Sequence, residues 1–208
     1  MTVGGFTGFE WLMLVEHELL LFAGVFFLIG AVDEFLVDLV WLWLRVTGKA
    51  KAQVIGAAPV SAGMIDDLSG KAAVFIPAWQ EAGVIGATIS HMLSVWPHRS
   101  LRVYVGCYRN DPATIEAAIR AAGGDGRMRL VIHDRNGPST KADCLNRLYR
   151  ALEDDEQRSG ALSHMVVLHD AEDMVDPAGI VLLDDAIRNA ELAQLPVLPL
   201  PQPASPWI

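Results

Sequence analysis

The chain has 208 residues, 52% of them apolar, with six tryptophans and a formal net charge of −9. That length can bury one good core and still leave room for a membrane segment beside it. The acidic balance excludes a nucleic-acid backbone as the expected partner, because surfaces that bind one are basic, although a single local pocket can still bind a nucleotide.

The apolar excess lies at the N-terminus. Leu19 to Val32 carries no polar side chain, and it is extended upstream by Trp11 to Val15 and downstream by Phe35 to Val46. Fourteen residues fall short of the roughly 20 a spanning helix needs, so the flanks decide the length. Residues 1 to 18 contain no Lys or Arg, unlike the start of a secretory signal. Two readings fit: a membrane helix, or a very apolar helical pair packed on the domain. The membrane is favoured, because no such pair is needed to complete the downstream core. Whether one helix spans, or a spanning helix precedes an interfacial one over Phe35 to Leu44, is open at this level. Trp41 and Trp43, followed by Arg45, Lys49 and Lys51, mark an interfacial and cytoplasmic end. The expected topology places the N-terminus in the periplasm and the rest in the cytoplasm. Asp33, Glu34 and Asp38 are awkward in lipid and suit a partner helix or channel.

Residues 47–70 read as a linker with a short helix near Met64 to Leu68. Strand and helix then alternate. Strands are expected at Ala72 to Ile76, Leu101 to Cys107, Arg129 to His133 and His164 to Leu168. Helices are expected at Glu81 to Val95, Ala113 to Ala122 behind Pro112, Lys141 to Leu152, and Ala178 to Ala190 behind Asp176 and Pro177. This alternation predicts an α/β fold, a mostly parallel sheet with helices on both faces. Ligands in such sheets bind beyond the carboxyl ends of the strands. Those ends carry 77–81, 108–111, 133–141 and 170–173. No GxGxxG or GxxxxGKS occurs.

The fourth strand runs into Asp170, Glu172, Asp173 and Asp176. Crowded carboxylates repel unless a positive group neutralises them, which suggests a divalent metal. The bland alternative is a hydrophilic loop ending in an N-cap aspartate. Lys141 is either a site lysine or an exposed helix-start residue, and Glu81 a ligand or an ordinary first-turn acid. Trp79 walls a pocket or packs on the linker. His169 ends an apolar strand and reads as structural. Cys107 and Cys144, without a CxxC spacing or a His partner, read as core residues of a reducing compartment.

Four segments carry a family resemblance: Val74-Phe-Ile-Pro-Ala-Trp-Gln-Glu81, Val105-Gly-Cys-Tyr-Arg-Asn-Asp111, Gly137-Pro-Ser-Thr-Lys-Ala-Asp-Cys-Leu-Asn146 and Asp170-Ala-Glu-Asp173. Together they resemble the inverting, family 2 glycosyltransferases of GT-A (Rossmann-like) fold, in their membrane-bound bacterial branch. The resemblance implies an inner-membrane enzyme that uses a nucleotide-sugar, by the family's habit a UDP-sugar, to build a surface polysaccharide or glycolipid. It implies nucleotide contacts at Pro77, Glu81, Asn110 and Asp111, with Asp111 foremost for the base. It also implies a diphosphate near Lys141 and Asp170, and a divalent cation (Mg or Mn) on Asp170, Glu172 or Asp173. Glu172 stands where the family more often has aspartate.

The expected domains are a membrane-embedded region 1–46, a linker 47–70, a donor-binding half domain 71–195 and a proline-rich tail 196–208. In the family the catalytic base comes well after the acidic motif. Asp184, Asp185 and Glu191 are poor substitutes for it, because they fall on or beside the last helix. The chain is therefore expected to be the donor-binding part of such an enzyme, completed by a missing C-terminal half or a partner membrane protein. The alternative is a non-catalytic, membrane-tethered nucleotide-binding or scaffold subunit. A weaker rival is a doubly wound phosphate site that binds magnesium without nucleotide.

Overall fold

The computed structural model describes residues 5, 7–49 and 68–197. The expected helix near Met64 and the end of the proline-rich tail lie outside the described residues. The chain divides into two units, Met1–Ile55 and Gly56–Ile208.

In the first unit a single helix, α1 (Gly8–Val46), runs unbroken for 39 residues. A reciprocal cap starts it. The Glu10 N–H donates to the Thr7 hydroxyl, and the Glu10 carboxylate accepts the Thr7 N–H at 2.6 Å. The Thr-x-x-Glu spacing was a readable signal for this start. At about 1.5 Å per residue α1 is about 58 Å long, roughly twice a ~30 Å hydrocarbon core. None of its residues is buried, and its mean hydropathy reaches 2.2, so it is long and apolar enough to cross a membrane. The backbone is one continuous helix through Asp33, Glu34 and Asp38, with no break before Phe35 to Leu44. Gly48, at φ +69°, closes the helix where a side chain would be strained. There Arg45 lies 5.1 Å over the Trp41 ring and Lys49 lies 4.7 Å over Trp43.

The second unit alternates β1 (Lys71–Pro77), α2 (Ile85–Val95), β2 (Leu101–Tyr108), α3 (Pro112–Ala122), β3 (Met128–His133), α4 (Lys141–Ser159), β4 (Ser163–Leu168) and α5 (Gly179–Ala186). The strands form one parallel sheet in the order β3-β2-β1-β4. Successive residues of β1 face opposite layers. Ala72, Val74 and Ile76 pack with α2, α3 and α5, whereas Ala73 and Phe75 pack with Tyr104, Leu148 and Leu152 beneath α4. Burial on both faces is why β1 and β2 read as continuous apolar runs rather than alternating ones. Gly106 lets α4 approach, since a Cβ there would lie 2.6 Å from the Cys144 sulfur.

Three expected boundaries move. The helix expected from Glu81 begins at Ile85, because Gln80 turns the backbone at φ 59° and the Glu81 carbonyl closes a turn onto the N–H groups of Val84 and Ile85. α4 continues past Leu152 to Ser159 and stops at Gly160, a left-handed C-cap. Its added turns are polar, and Asp155 accepts the buried Tyr104 hydroxyl at 2.8 Å. Asp176 does not open α5. Its carboxylate accepts the Ala178 N–H at 2.8 Å in a turn, and the helix starts at Gly179 and ends at Ala186.

The chain winds outward from β1 through β2 to β3, then crosses back to place β4 on the other side of β1. The winding therefore reverses at β1, and the loops after β1 and β4 run to the same face, where α2 and α5 share one core.

Candidate functional site

An open cleft of about 290 Å³ lies beyond the carboxyl ends of the strands. β1 delivers Pro77, Ala78, Trp79 and Glu81 to it, and β2 delivers Tyr108. The segment into α4 brings Ser139, Lys141 and Cys144, and the loop after β4 brings Asp170, Ala171 and Glu172. All four strand ends named from the sequence thus contribute.

The acidic loop is held from behind by α2. Thr88, 2% exposed, donates its hydroxyl to the Ala171 carbonyl at 2.6 Å. His91 meets the Val175 carbonyl at 2.9 Å, and the Trp96 indole N–H meets Asp176 at 2.9 Å. Inside the loop the Asp173 N–H reaches the Asp170 carbonyl, and the His169 Nε2 lies 3.1 Å from the Asp173 carbonyl. Burial holds the His169 pKa below its ordinary value, against the pull of the Asp173 carbonyl and the carboxylates of Asp173, Asp170 and Glu172. A neutral imidazole donating to that carbonyl is a brace, which agrees with its structural reading.

Asp170 points at Lys141, and the two side chains form an ion pair while about half exposed, at 47% and 60%. Such exposed pairs contribute at most about 1 kcal/mol, so this one is readily exchanged. Lys141 is the first residue of α4, whose N-cap Thr140 accepts the Asp143 N–H. The ammonium and the free N–H groups of that first turn both favour an anion.

Aromatic rings adjoin the segment that leads into α4. The Tyr108 ring stands edge-to-face with Trp79 at 5.1 Å and stacks on His133 at 5.1 Å and 9°. Its hydroxyl bonds Ser139 at 2.6 Å. His133 is buried; its Nε2 lies 3.2 Å from the Asp143 carboxylate, and its Nδ1 accepts the Arg135 N–H. Gly137 packs so closely that a Cβ there would fall 2.4 Å from the Trp79 ring. Tyr108 and Ser139 are cleft residues the sequence did not single out. Their signal was only their position at strand and helix ends.

Pro77, Glu81, Lys141, Asp170 and Glu172 of the expected set meet at the cleft. Asn110, Asp111 and Asp173 do not line it. Asn110 spends its amide on Gly137, donating to its carbonyl at 2.9 Å and accepting its N–H at 2.8 Å. Asp111, 7% exposed, accepts the Gln80 N–H at 2.6 Å and caps α3 through Thr114. Both bind one loop to another. The metal was expected on Asp170 with Glu172 or Asp173. Among the described residues no three acidic, His or Cys side chains gather into a metal-holding group. Asp170 and Glu172 remain as two hard oxygen donors on the cleft wall, which fits a cation whose shell is completed by phosphate and water rather than by a protein cage. Cys107 and Cys144 are buried free thiols, and burial raises both pKa values, Cys107 to about 12. A thiol raised in this way is held in its protonated, weakly nucleophilic form.

A parallel sheet covered on both faces, with an anion-suited cleft beyond the carboxyl ends of its strands, defines a Rossmann-like, GT-A-like α/β protein. The chain belongs to the family 2 glycosyltransferase-like proteins, whose family model, "Glycosyltransferase like family 2", matches residues 70–190. It is 30% identical over 177 residues to bacteriophage adsorption protein B of Escherichia coli (strain K12), and equally to bacteriophage N4 adsorption protein B of Escherichia coli O157:H7. These alignments cover 84% of this chain and 24% of each relative, so the chain spans about a quarter of the length of the curated relatives it matches.

Proposed function

We propose that the cleft binds the nucleoside-diphosphate sugar of a glycosyltransferase, and that this chain is the donor-binding part of an inverting enzyme acting on a cell-surface polysaccharide or glycolipid. One observation carries the reading. Within one family 2 cleft, an aromatic ring, a lysine at a helix N-terminus and two carboxylates come together, the complementary set for a base and a diphosphate.

Trp79, partly exposed, offers the flat apolar surface a base or ribose requires, backed by the buried Tyr108 ring, with Pro77 and Glu81 on the same strand end. Lys141 and the first turn of α4 hold the phosphates by charge and by N–H donation. Asp170 and Glu172 would hold a magnesium or manganese ion together with those phosphates. When bound, such an ion neutralises charge as a diphosphate departs. The loop bonds from Thr88, His91 and Trp96 keep Asp170 and Glu172 in place, so little ordering cost falls on binding. Asp184 is committed to Ser69 and Arg188, away from the cleft. We assign the acceptor site and the attacking base to no residue of this chain.

Helix α1 is read as the anchor that places this site at the inner face of a bacterial inner membrane, with the N-terminus outside.

Calorimetric titration of the full chain in detergent with uridine diphosphate, with and without manganese, tests the donor reading. Binding that requires manganese and disappears in Asp170→Ala supports it. A folded chain that binds no nucleoside diphosphate under either condition overturns it.

A further inference from the structure

We infer that Lys141 is a resident counter-ion of Asp170 that changes partner when the donor binds, so that divalent cation and nucleoside diphosphate enter the cleft cooperatively. This rests on the donor-site reading above and concerns how the site loads.

Three observations carry it. Lys141 and Asp170 are joined across the cleft, 29 residues apart in sequence, with Glu172 on the same wall. Lys141 is also the first residue of a 19-residue helix. A cation is electrostatically disfavoured at a helix N-terminus, where the macrodipole presents positive charge. Nothing in the stability of α4 asks for lysine there, and the first-turn acid Asp143 already supplies the favourable charge. The lysine answers to an anion beyond its own helix. Finally, the two partners differ in freedom. The Asp170 backbone is tied into the acidic loop through Asp173, and that loop is strapped to α2 by Thr88, His91 and Trp96. Lys141 is an exposed ammonium on a flexible four-carbon stem.

In the empty cleft the ammonium neutralises Asp170 and opposes a divalent ion at the same oxygens. A diphosphate, whose charge exceeds that of one carboxylate, draws Lys141 away, and Asp170 is freed to join Glu172 on the cation. Each ligand thereby raises the affinity for the other by the same factor.

Electron paramagnetic resonance of free manganese, titrated against the full chain in detergent with and without uridine diphosphate, tests this without any turnover. Lys141→Met should bind manganese alone about three- to tenfold more tightly than the natural chain. The tightening of manganese by uridine diphosphate should shrink in parallel. Lys141→Arg, which keeps the charge, should behave as the natural chain does. If the natural chain binds manganese and nucleotide together but Lys141→Met leaves the affinity for manganese alone unchanged or weaker, partner exchange is wrong while the donor site stands. If no variant binds nucleotide, the donor reading and the exchange fall together. Circular dichroism of Lys141→Met confirms that the exposed substitution leaves the fold intact.

Discussion

The carboxylate of Asp111, at the N-cap of α3, accepts the backbone N–H of Gln80 at 2.6 Å, joining the loop after β1 to the loop after β2. Gln80 is the one non-glycine residue with positive φ among those described, and it sits between the cleft residues Trp79 and Glu81. A strained turn persists only when its surroundings over-determine it. Asp111 is that surrounding, together with the Thr114 hydroxyl, which accepts the Glu81 N–H at 3.0 Å.

Replacing Asp111 should therefore act on stability before it acts on ligands. Asp111→Ala removes a cap and orphans the Gln80 N–H, at a combined cost of about 2–3 kcal/mol. Urea denaturation of the full chain in detergent should show it as a lowered midpoint. Asp111→Asn, which keeps one acceptor oxygen, should lose about half as much. Unchanged stability with lost nucleotide binding would instead restore the direct contact first read from the sequence.

Gly137 should tolerate no side chain. The Cβ of Gly137→Ala would meet the Trp79 ring at 2.4 Å and Tyr108 at 2.9 Å, so the aromatic wall must shift. Overpacking of this kind costs about 1–3 kcal/mol. The expected result is a changed near-ultraviolet signal and weakened binding of uridine diphosphate. An alanine variant with natural spectra and affinity would show that the wall does not depend on this contact.

The strap from α2 gives a prediction at a distance from the cleft. Thr88→Val keeps the shape of the side chain but leaves the Ala171 carbonyl without its buried donor, costing about 1–3 kcal/mol. The acidic loop should loosen, seen as faster amide exchange at 171–176 and weaker manganese binding in the presence of uridine diphosphate. Natural exchange rates in that segment would remove Thr88 from the positioning of the site.

Acid should loosen the second unit through Asp184. Burial alone would raise its carboxyl, but the Ser69 hydroxyl and N–H, with Arg188, hold its pKa below the ordinary 3.8. A depressed folded pKa gives stability that is complete above 3.8 and lost as pH falls through the lower folded value. Urea midpoints measured downward from pH 6 should therefore drop below about pH 4. Asp184→Asn should start lower and show a shallower acid limb. Parallel curves for the two proteins would assign the acid sensitivity elsewhere.

Helix α1 predicts membrane residence. The full chain expressed in bacteria should stay with the membrane pellet through alkaline carbonate extraction. Protease added to spheroplasts should leave the second unit intact, whereas protease added to inverted vesicles should degrade it. Release by carbonate would contradict the anchor, and the reverse protection pattern would invert the topology.

The sequence alone determined the elements that depend on local pattern. Apolar runs buried on both faces announced β1 and β2, Pro112 announced the start of α3, and the apolar stretch together with its flanks announced a helix long enough for a membrane. It also announced where chemistry would gather, because every parallel strand must end at the same edge. Only the tertiary structure decided which residues at that edge face the cleft. Asp111 and Asp170 are both acids just past a strand, yet one is folded inward onto a backbone N–H 31 residues away and the other faces a lysine 29 residues away. Thr88 reaches Ala171 across 83 residues, and Tyr108 meets Trp79 from the loop after β1, His133 at the end of β3 and Ser139 just before α4. Periodicity records whether a side chain is buried. Its partner is set by strand order and register, and β1 acquires its second neighbour only when the chain crosses back to lay β4 beside it.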